Sequence, residues 1–194
     1  RGLKVTAVEP NDNMRKIGQE RTNRWKNIIW VEGKGEETGQ KESQFEMVTF
    51  GSSFNVVDRT LALKETVRIL KPRGWFACIW NHRDLEDTFQ AQVEDIIKRE
   101  IADYDYGTRR EDQSGIIKES GLFEVPFKIE APIKHLVSAK DWVDAWRSHA
   151  TLARQAGDKH GEIVNKIEAF IEDRGLTEIQ VPYITRIWLT QKLA

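Results

Sequence analysis

Residues 45–80 read FEMVTFGSSFNVVDRTLALKETVRILKPRGWFACIW. The apolar run Phe45 to Phe50, closed by Gly51-Ser52-Ser53, predicts a short strand that ends in a turn. Asp58 stands where it can cap a following helix, on which Leu63, Val67 and Leu70 recur at helical spacing, and Pro72 with Gly74 enforces the stop. Trp75 to Trp80 is apolar at every position, the pattern of a strand covered on both faces of a parallel sheet. Strand, helix and buried strand in that order predict an α/β fold.

The flanking sequence extends the pattern. Upstream, Leu3 to Val8 forms a β-branched run stopped by Glu9-Pro10; Asn11 is placed to cap a short helix carrying Met14 and Ile17, and Ile28 to Val31 predicts another strand before Gly33 and Gly35. Downstream, Asp87 with Gln90 resembles a capping box for a helix striped by Phe89, Val93, Ile96, Ile97 and Ile101. Residues 125–133 then alternate apolar and polar, with Pro126 and Pro132 on the polar face, which predicts a half-buried strand at a sheet edge. Ser138 and Asp141 open a helix with Trp142 and Trp146; a further helix carries Ile163, Ile167 and Ile171 and ends at Gly175; Ile179 to Leu189 alternates again as a last strand. The fold class is therefore α/β, a mostly parallel sheet with helices on both faces and an antiparallel edge at the C-terminal end.

Composition narrows the function. The 194 residues suit one domain, residues 1–194, with a real core. Lys and Arg (30) nearly cancel Asp and Glu (31), and neither sign forms a block, so no nucleic-acid or anionic-lipid footprint is expected. No apolar stretch reaches the length of a membrane span, and the lone Cys78, inside an apolar run, reads as a buried thiol in a reducing compartment, favouring the cytoplasm. His82, His135, His149 and His160 are scattered, so no metal site is expected.

Three segments in order carry a resemblance. Lys4-Val5-Thr6-Ala7-Val8-Glu9-Pro10-Asn11-Asp12-Asn13-Met14, Phe45-Glu46-Met47-Val48-Thr49-Phe50 and Leu70-Lys71-Pro72-Arg73-Gly74-Trp75 are similar to the second strand, the fourth strand and the Leu-Lys-Pro-Gly-Gly signature of the class I S-adenosylmethionine-dependent methyltransferases. Within that family the small-molecule (type 11-like) enzymes are the nearest in character. Two departures stand out: Glu46 where the family has aspartate, and Arg73 where it has glycine. The resemblance puts the family's first strand and glycine-rich turn before Arg1. The chain is accordingly expected to be truncated at its N-terminus, to bind cofactor poorly and to be marginally stable.

The resemblance implies a cofactor, S-adenosylmethionine, and contacts to it. Glu9, ending a strand at the carboxyl edge of the sheet, would accept the ribose hydroxyls, an acceptor-only role that a carboxylate suits. Pro10, Asn11 and Met14 would follow it, Gly35 and Glu36 would meet the adenine, and Phe50, Gly51 and Ser52 would line the cofactor beyond the fourth strand. On the acceptor side it implies Phe54, Asn55, Trp80 and Trp146, with His82 as the candidate proton acceptor. Read without the resemblance, each of these is also an ordinary strand end, surface turn or core aromatic. A dinucleotide loop at Gly33, Gly35 and Gly39 fails because no helix follows it to hold a pyrophosphate.

The expected activity is transfer of a sulfonium methyl to a small-molecule acceptor, with neither nucleic acid nor membrane as partner. Two other readings are a nicotinamide-dependent oxidoreductase and a catalytically inert methyltransferase-like binding module.

Overall fold

The computed structural model describes residues 2–193. The chain resolves into two compact units, the first made of Arg1–Ile79, Asp112–Ile129 and Ile187–Ala194, the second of Trp80–Glu111 and Glu130–Arg186.

In the first unit β1 (Val5–Val8) pairs in parallel with β2 (Ile28–Val31), Val5 opposite Ile28 and Val8 opposite Val31. Helix α1 (Asp12–Thr22) joins them and starts at Asn11, whose side chain accepts the Met14 N–H at 3.0 Å. The helix is held by Trp30: a Cβ on Gly18 would stand 2.3 Å from the indole, whose Nε1 donates to Thr22 Oγ1 at 2.9 Å. Only glycine permits that approach.

β3 (Phe45–Gly51), also in the first unit, pairs in parallel with β4 (Leu70–Arg83), of which the stretch to Ile79 belongs to that unit, Val48 opposite Phe76 and Gly51 opposite Ile79. Between them α2 (Arg59–Ile69) is capped by Asp58, which accepts the Leu61 N–H at 2.9 Å. The helix stops at Ile69, so Leu70, expected on its last turn, is already strand. The strand's first stretch is irregular, with a register shift between Phe45 and Met47 and Arg73 in the left-handed region at φ 58°. Fully buried Phe54 and Phe76 meet at 5.5 Å between ring centroids, with Phe50 and Phe123 packed beside them, and short α4 (Ser114–Glu119) buries Ile117.

The second unit is built on four helices. Asp87 caps α3 (Thr88–Glu100), Ser138 caps α5 (Ala139–Arg147) and His149 caps α6 (Ala150–Ala156), while α7 (His160–Glu172) gives way to Gly175 at φ 61°. The periodic residues named above converge here, Val93, Ile97, Trp142, Ile163, Ile167 and Ile171 all lying in one core cluster. This is helix burial of the ordinary kind, in which an apolar stripe rather than intrinsic propensity supplies the stability.

Strands β5 (Phe127–Ser138) and β6 (Glu178–Gln191) complete a four-stranded sheet of order β3-β4-β6-β5. The architecture is the mixed α/β arrangement expected, with parallel pairs at β1-β2 and β3-β4. As its prolines require, β5 lies at the sheet edge. It is not half-buried, however: Phe127 is 65% and Ile129 44% exposed, because alternation identifies an apolar face without supplying an element to cover it.

Candidate functional site

The residues expected to meet the cofactor all lie in the first unit, at the ends of its strands. Glu9 follows β1, and its N–H donates to Val31 O at 3.1 Å, which extends the β1-β2 pairing to the strand end. Its Oε1 accepts the Asn11 N–H at 2.9 Å and its main-chain oxygen accepts Arg15 at 2.7 Å. The carboxylate is thus fixed at one oxygen and half-buried, and the other oxygen has no hydrogen-bond partner among the described residues. Pro10, Asn11 and Met14 form an exposed rim beside it.

Tight packing brings the next turn against this point. A Cβ on Gly33 would be 2.8 Å from Val8 Cγ1 and 3.0 Å from Thr38 O, and one on Gly35 would be 2.9 Å from both the Phe50 ring and Val57. The turn after β2 therefore rests on the end of β1 at one side and on the end of β3 at the other. Lys34 and Glu37 close it by exchanging backbone hydrogen bonds of 3.0 and 3.2 Å. Glu36 accepts the Asp58 N–H at 2.7 Å, so one of its oxygens serves the start of α2. At the end of β3, Gly51 and the following Ser52 are exposed, Ser52 in the left-handed region at φ 54° with its N–H on Ile79 O at 2.8 Å. Phe54 is fully buried with its ring among Phe50 and Phe76, and Asn55 is half-buried.

One side chain that sequence reading missed anchors this turn. Glu65 on α2 accepts both the N–H and the hydroxyl of Thr38 and pairs with Arg68 at 2.7 Å. Although burial opposes ionisation, these donors together hold the carboxyl down at about 2. The Glu65–Arg68 spacing is visible in the sequence, but the partner Thr38 is not local and left no signal.

The second unit contains a cavity of about 150 Å³, lined by His82, Trp146 and nine neighbours from β4, α5, the cap of α6, β6 and residues 106–110. His82 is buried at 4% exposure, stacked near Trp80, and its Nε2 has no hydrogen-bond partner. Burial first, then the guanidinium groups of Arg110, Arg109 and Arg186, depress it to about 4, which leaves a neutral imidazole at physiological pH. His149 is likewise lowered to about 4 by burial and by Arg83 and Arg109; its Nδ1 accepts the Leu152 N–H at 3.1 Å, so its hydrogen resides on Nε2.

Three arginines reach this cavity. Arg83 pairs with Glu94 at 3.1 Å, bonds Tyr106 Oη at 2.6 Å and stacks 4.5 Å over Trp146. Arg109 and Arg110 have no carboxylate partner among the described residues. The segment Tyr104-Asp105-Tyr106-Gly107-Thr108-Arg109-Arg110 carried this signal, two adjacent cations behind paired tyrosines, but a short charge run is usually a solvated face. Among the described residues no three His, Cys, Asp or Glu side chains converge on a point, and no helix is long and apolar enough to cross a membrane.

Sheet order, parallel pairs and flanking helices are those of the class I methyltransferase fold. Solved structures agree: a candidate type II methyltransferase of Anaeromyxobacter dehalogenans superposes with TM-score 0.58 at 18% identity, over 97% of this chain and 79% of that one. The [4+2]-cyclase SpnF superposes with TM-score 0.57 at 13% identity, over 100% of this chain and 67% of that one, so the fold by itself does not specify methyl transfer. Residues 1–78 match the family described as "Methyltransferase domain". A demethylmenaquinone methyltransferase of Staphylococcus aureus (strain JH9) is 37% identical over 76 residues, 39% of this chain and 32% of that protein. Residues 1–78 are thus similar to a methyltransferase domain, and the chain spans about a third of the length of the curated relatives it matches.

Proposed function

We propose that the protein transfers a methyl group from S-adenosylmethionine to a small-molecule acceptor. The observation that carries the reading is the convergence, within the first unit, of Glu9, the Gly33 and Gly35 turn and the Phe50 to Ser52 turn, in the stretch that matches the methyltransferase family. The residues fit the cofactor: Glu9 retains an unpartnered carboxylate oxygen for a ribose hydroxyl, and Asn11 and Met14 stay exposed beside it.

The cofactor supplies an already activated sulfonium methyl, so alignment and exclusion of water are the protein's main tasks. On this reading Glu9, Pro10, Asn11, Met14, Gly35, Glu36, Phe50, Gly51 and Ser52 contact the cofactor. Glu36 does so with the oxygen not engaged at Asp58. On the acceptor side the reading names Phe54 and Asn55 in the first unit and Trp80, Trp146 and His82 in the second. His82, held neutral by burial, accepts the acceptor's proton at Nε2. The relative's name does not identify the acceptor here, because the family match ends at residue 78, before Asn81 and the cavity.

Isothermal titration of the chain with S-adenosylhomocysteine and, separately, NADH tests the proposal. Heat with the first and none with the second is expected; saturable binding of NADH alone would replace it with the oxidoreductase reading. Binding of S-adenosylhomocysteine without methyl transfer to any acceptor in a metabolite extract carrying labelled S-adenosylmethionine would leave the inert module.

A further inference from the structure

We infer that the second unit's cavity is a binding site for a small organic anion, an oxyanion carried on an apolar body of about benzene size. The inference rests on the methyltransferase reading only in naming this anion as the acceptor; the cavity's chemistry stands without it.

Charge is the first argument. Glu94 pairs with Arg83, and Lys98 stands 3.6 Å from that same carboxylate, so the nearest acid serves two other cations and forms no ion pair with Arg109 or Arg110. Arg109 has one long contact, to Asn81 O at 3.5 Å; Arg110 donates to Arg83 O at 3.1 Å and stacks 4.2 Å from the Tyr106 ring. Burial works against the charge of both guanidinium groups, lowering both pKa values. Two desolvated cations side by side are costly unless an anion joins them.

Unpartnered polar atoms are the second argument. Arg109 Nε and Arg110 Nε are buried without a partner, and so is Nε2 of His82, itself more than nine-tenths buried. A buried polar atom without a partner is costly, so the two arginine donors beside one cavity call for a ligand or water with acceptor oxygens, and the neutral His82 Nε2 for a partner in the same space. The arginine fork is the donor geometry that carboxylate and phosphate oxygens match.

Shape is the third. Trp142 and Trp146, edge to face at 5.8 Å, and Tyr183 supply an apolar wall. The volume of about 150 Å³ equals that of an engineered protein cavity known to hold benzene. Apolar body and oxyanion head are thus accommodated in the same space.

Tryptophan fluorescence of the full chain, without cofactor, is titrated with benzoate, phenyl phosphate and the neutral isostere benzamide. Saturable quenching by one or both anions is expected, with benzamide at least tenfold weaker; whichever anion binds tighter identifies the oxyanion as planar or tetrahedral. Arg109→Gln is expected to weaken the anion at least tenfold and Arg109→Lys to recover part of that loss, with circular dichroism and melting confirming that both variants fold. Benzamide binding as tightly as benzoate, unchanged anion affinity in folded Arg109→Gln, or no saturable quenching by either anion at millimolar concentration would each overturn the inference. Since no cofactor is present, failure here leaves S-adenosylhomocysteine binding untouched, and failure of the methyltransferase reading leaves the anion titration standing.

Discussion

The two units expose different ways of making a site. In the first, the candidate contacts come from turns at strand ends: glycines that no side chain can replace, and one acid fixed by the Asn11 amide. In the second, they come from long side chains, three arginines, two histidines and two tryptophans, gathered from segments far apart in the chain. A turn is specified by a few adjacent residues, so it is recognisable locally. A side-chain cluster depends on which helices pack together, so it leaves almost no local trace.

Replacing Glu94 probes the side-chain site most severely. Glu94→Ala leaves Arg83, only 10% exposed at its side chain, without a counter-charge. A loss of about 3–5 kcal/mol in urea unfolding is expected; a loss under about 1 kcal/mol would mean that the second unit does not depend on the pair.

The corresponding change in the first unit affects binding rather than stability. Glu9→Ala is expected to weaken S-adenosylhomocysteine by roughly tenfold to a hundredfold, about 1.4–2.7 kcal/mol, while the melting temperature stays within a degree or two. Equal losses in affinity and stability would make Glu9 a structural residue.

Acid separates the units by which groups titrate. His82 and His149, both held near 4, lie below the ordinary histidine value of 6.5, so the unfolded chain takes up their protons first. Stability therefore falls as pH drops from about 6.5 toward 4. The carboxyls of Glu65 and Asp112, held at about 2, contribute fully above their ordinary values of 4.5 and 3.8 and lose that contribution only below them. Melting measured between pH 7 and 5 should decline, and His82→Gln should flatten that decline; an unaltered slope would show that His82 takes up its proton at the same pH in the folded and unfolded chain.

The smallest effect lies at Arg73. A left-handed arginine costs roughly 1–2 kcal/mol, and glycine gives back part of that through its freer unfolded chain. Arg73→Gly should stabilise by about 0.5 kcal/mol by calorimetry, the bond from the Gln191 side-chain amide Nε2 to Arg73 O at 2.7 Å being retained. Destabilisation would mean that the Arg73 side chain matters more than its backbone strain.

Much of the fold was legible in the sequence. Asn11, Asp58, Asp87 and Ser138 were each read as helix starts, and each accepts a backbone N–H three residues on. The edge position of β5 followed from its prolines. Less visible were α4 and α6, of six and seven residues, too short to show a full apolar period. The single-residue roles of Glu9 and the turn glycines remain part of the proposal, although their proximity was foreseeable from the order of strands.

By itself the sequence determined the alternation of strands and helices, the caps, and the methyltransferase likeness over residues 1–78, because all of these are written in neighbours along the chain. Only the tertiary structure decided that Glu65 would pin Thr38 and that Arg83, Arg109 and Arg110 would surround one cavity with Trp146 and His149. Those outcomes depend on side chains dozens of residues apart losing their water together, and desolvation is a property of the packed molecule that no local pattern encodes.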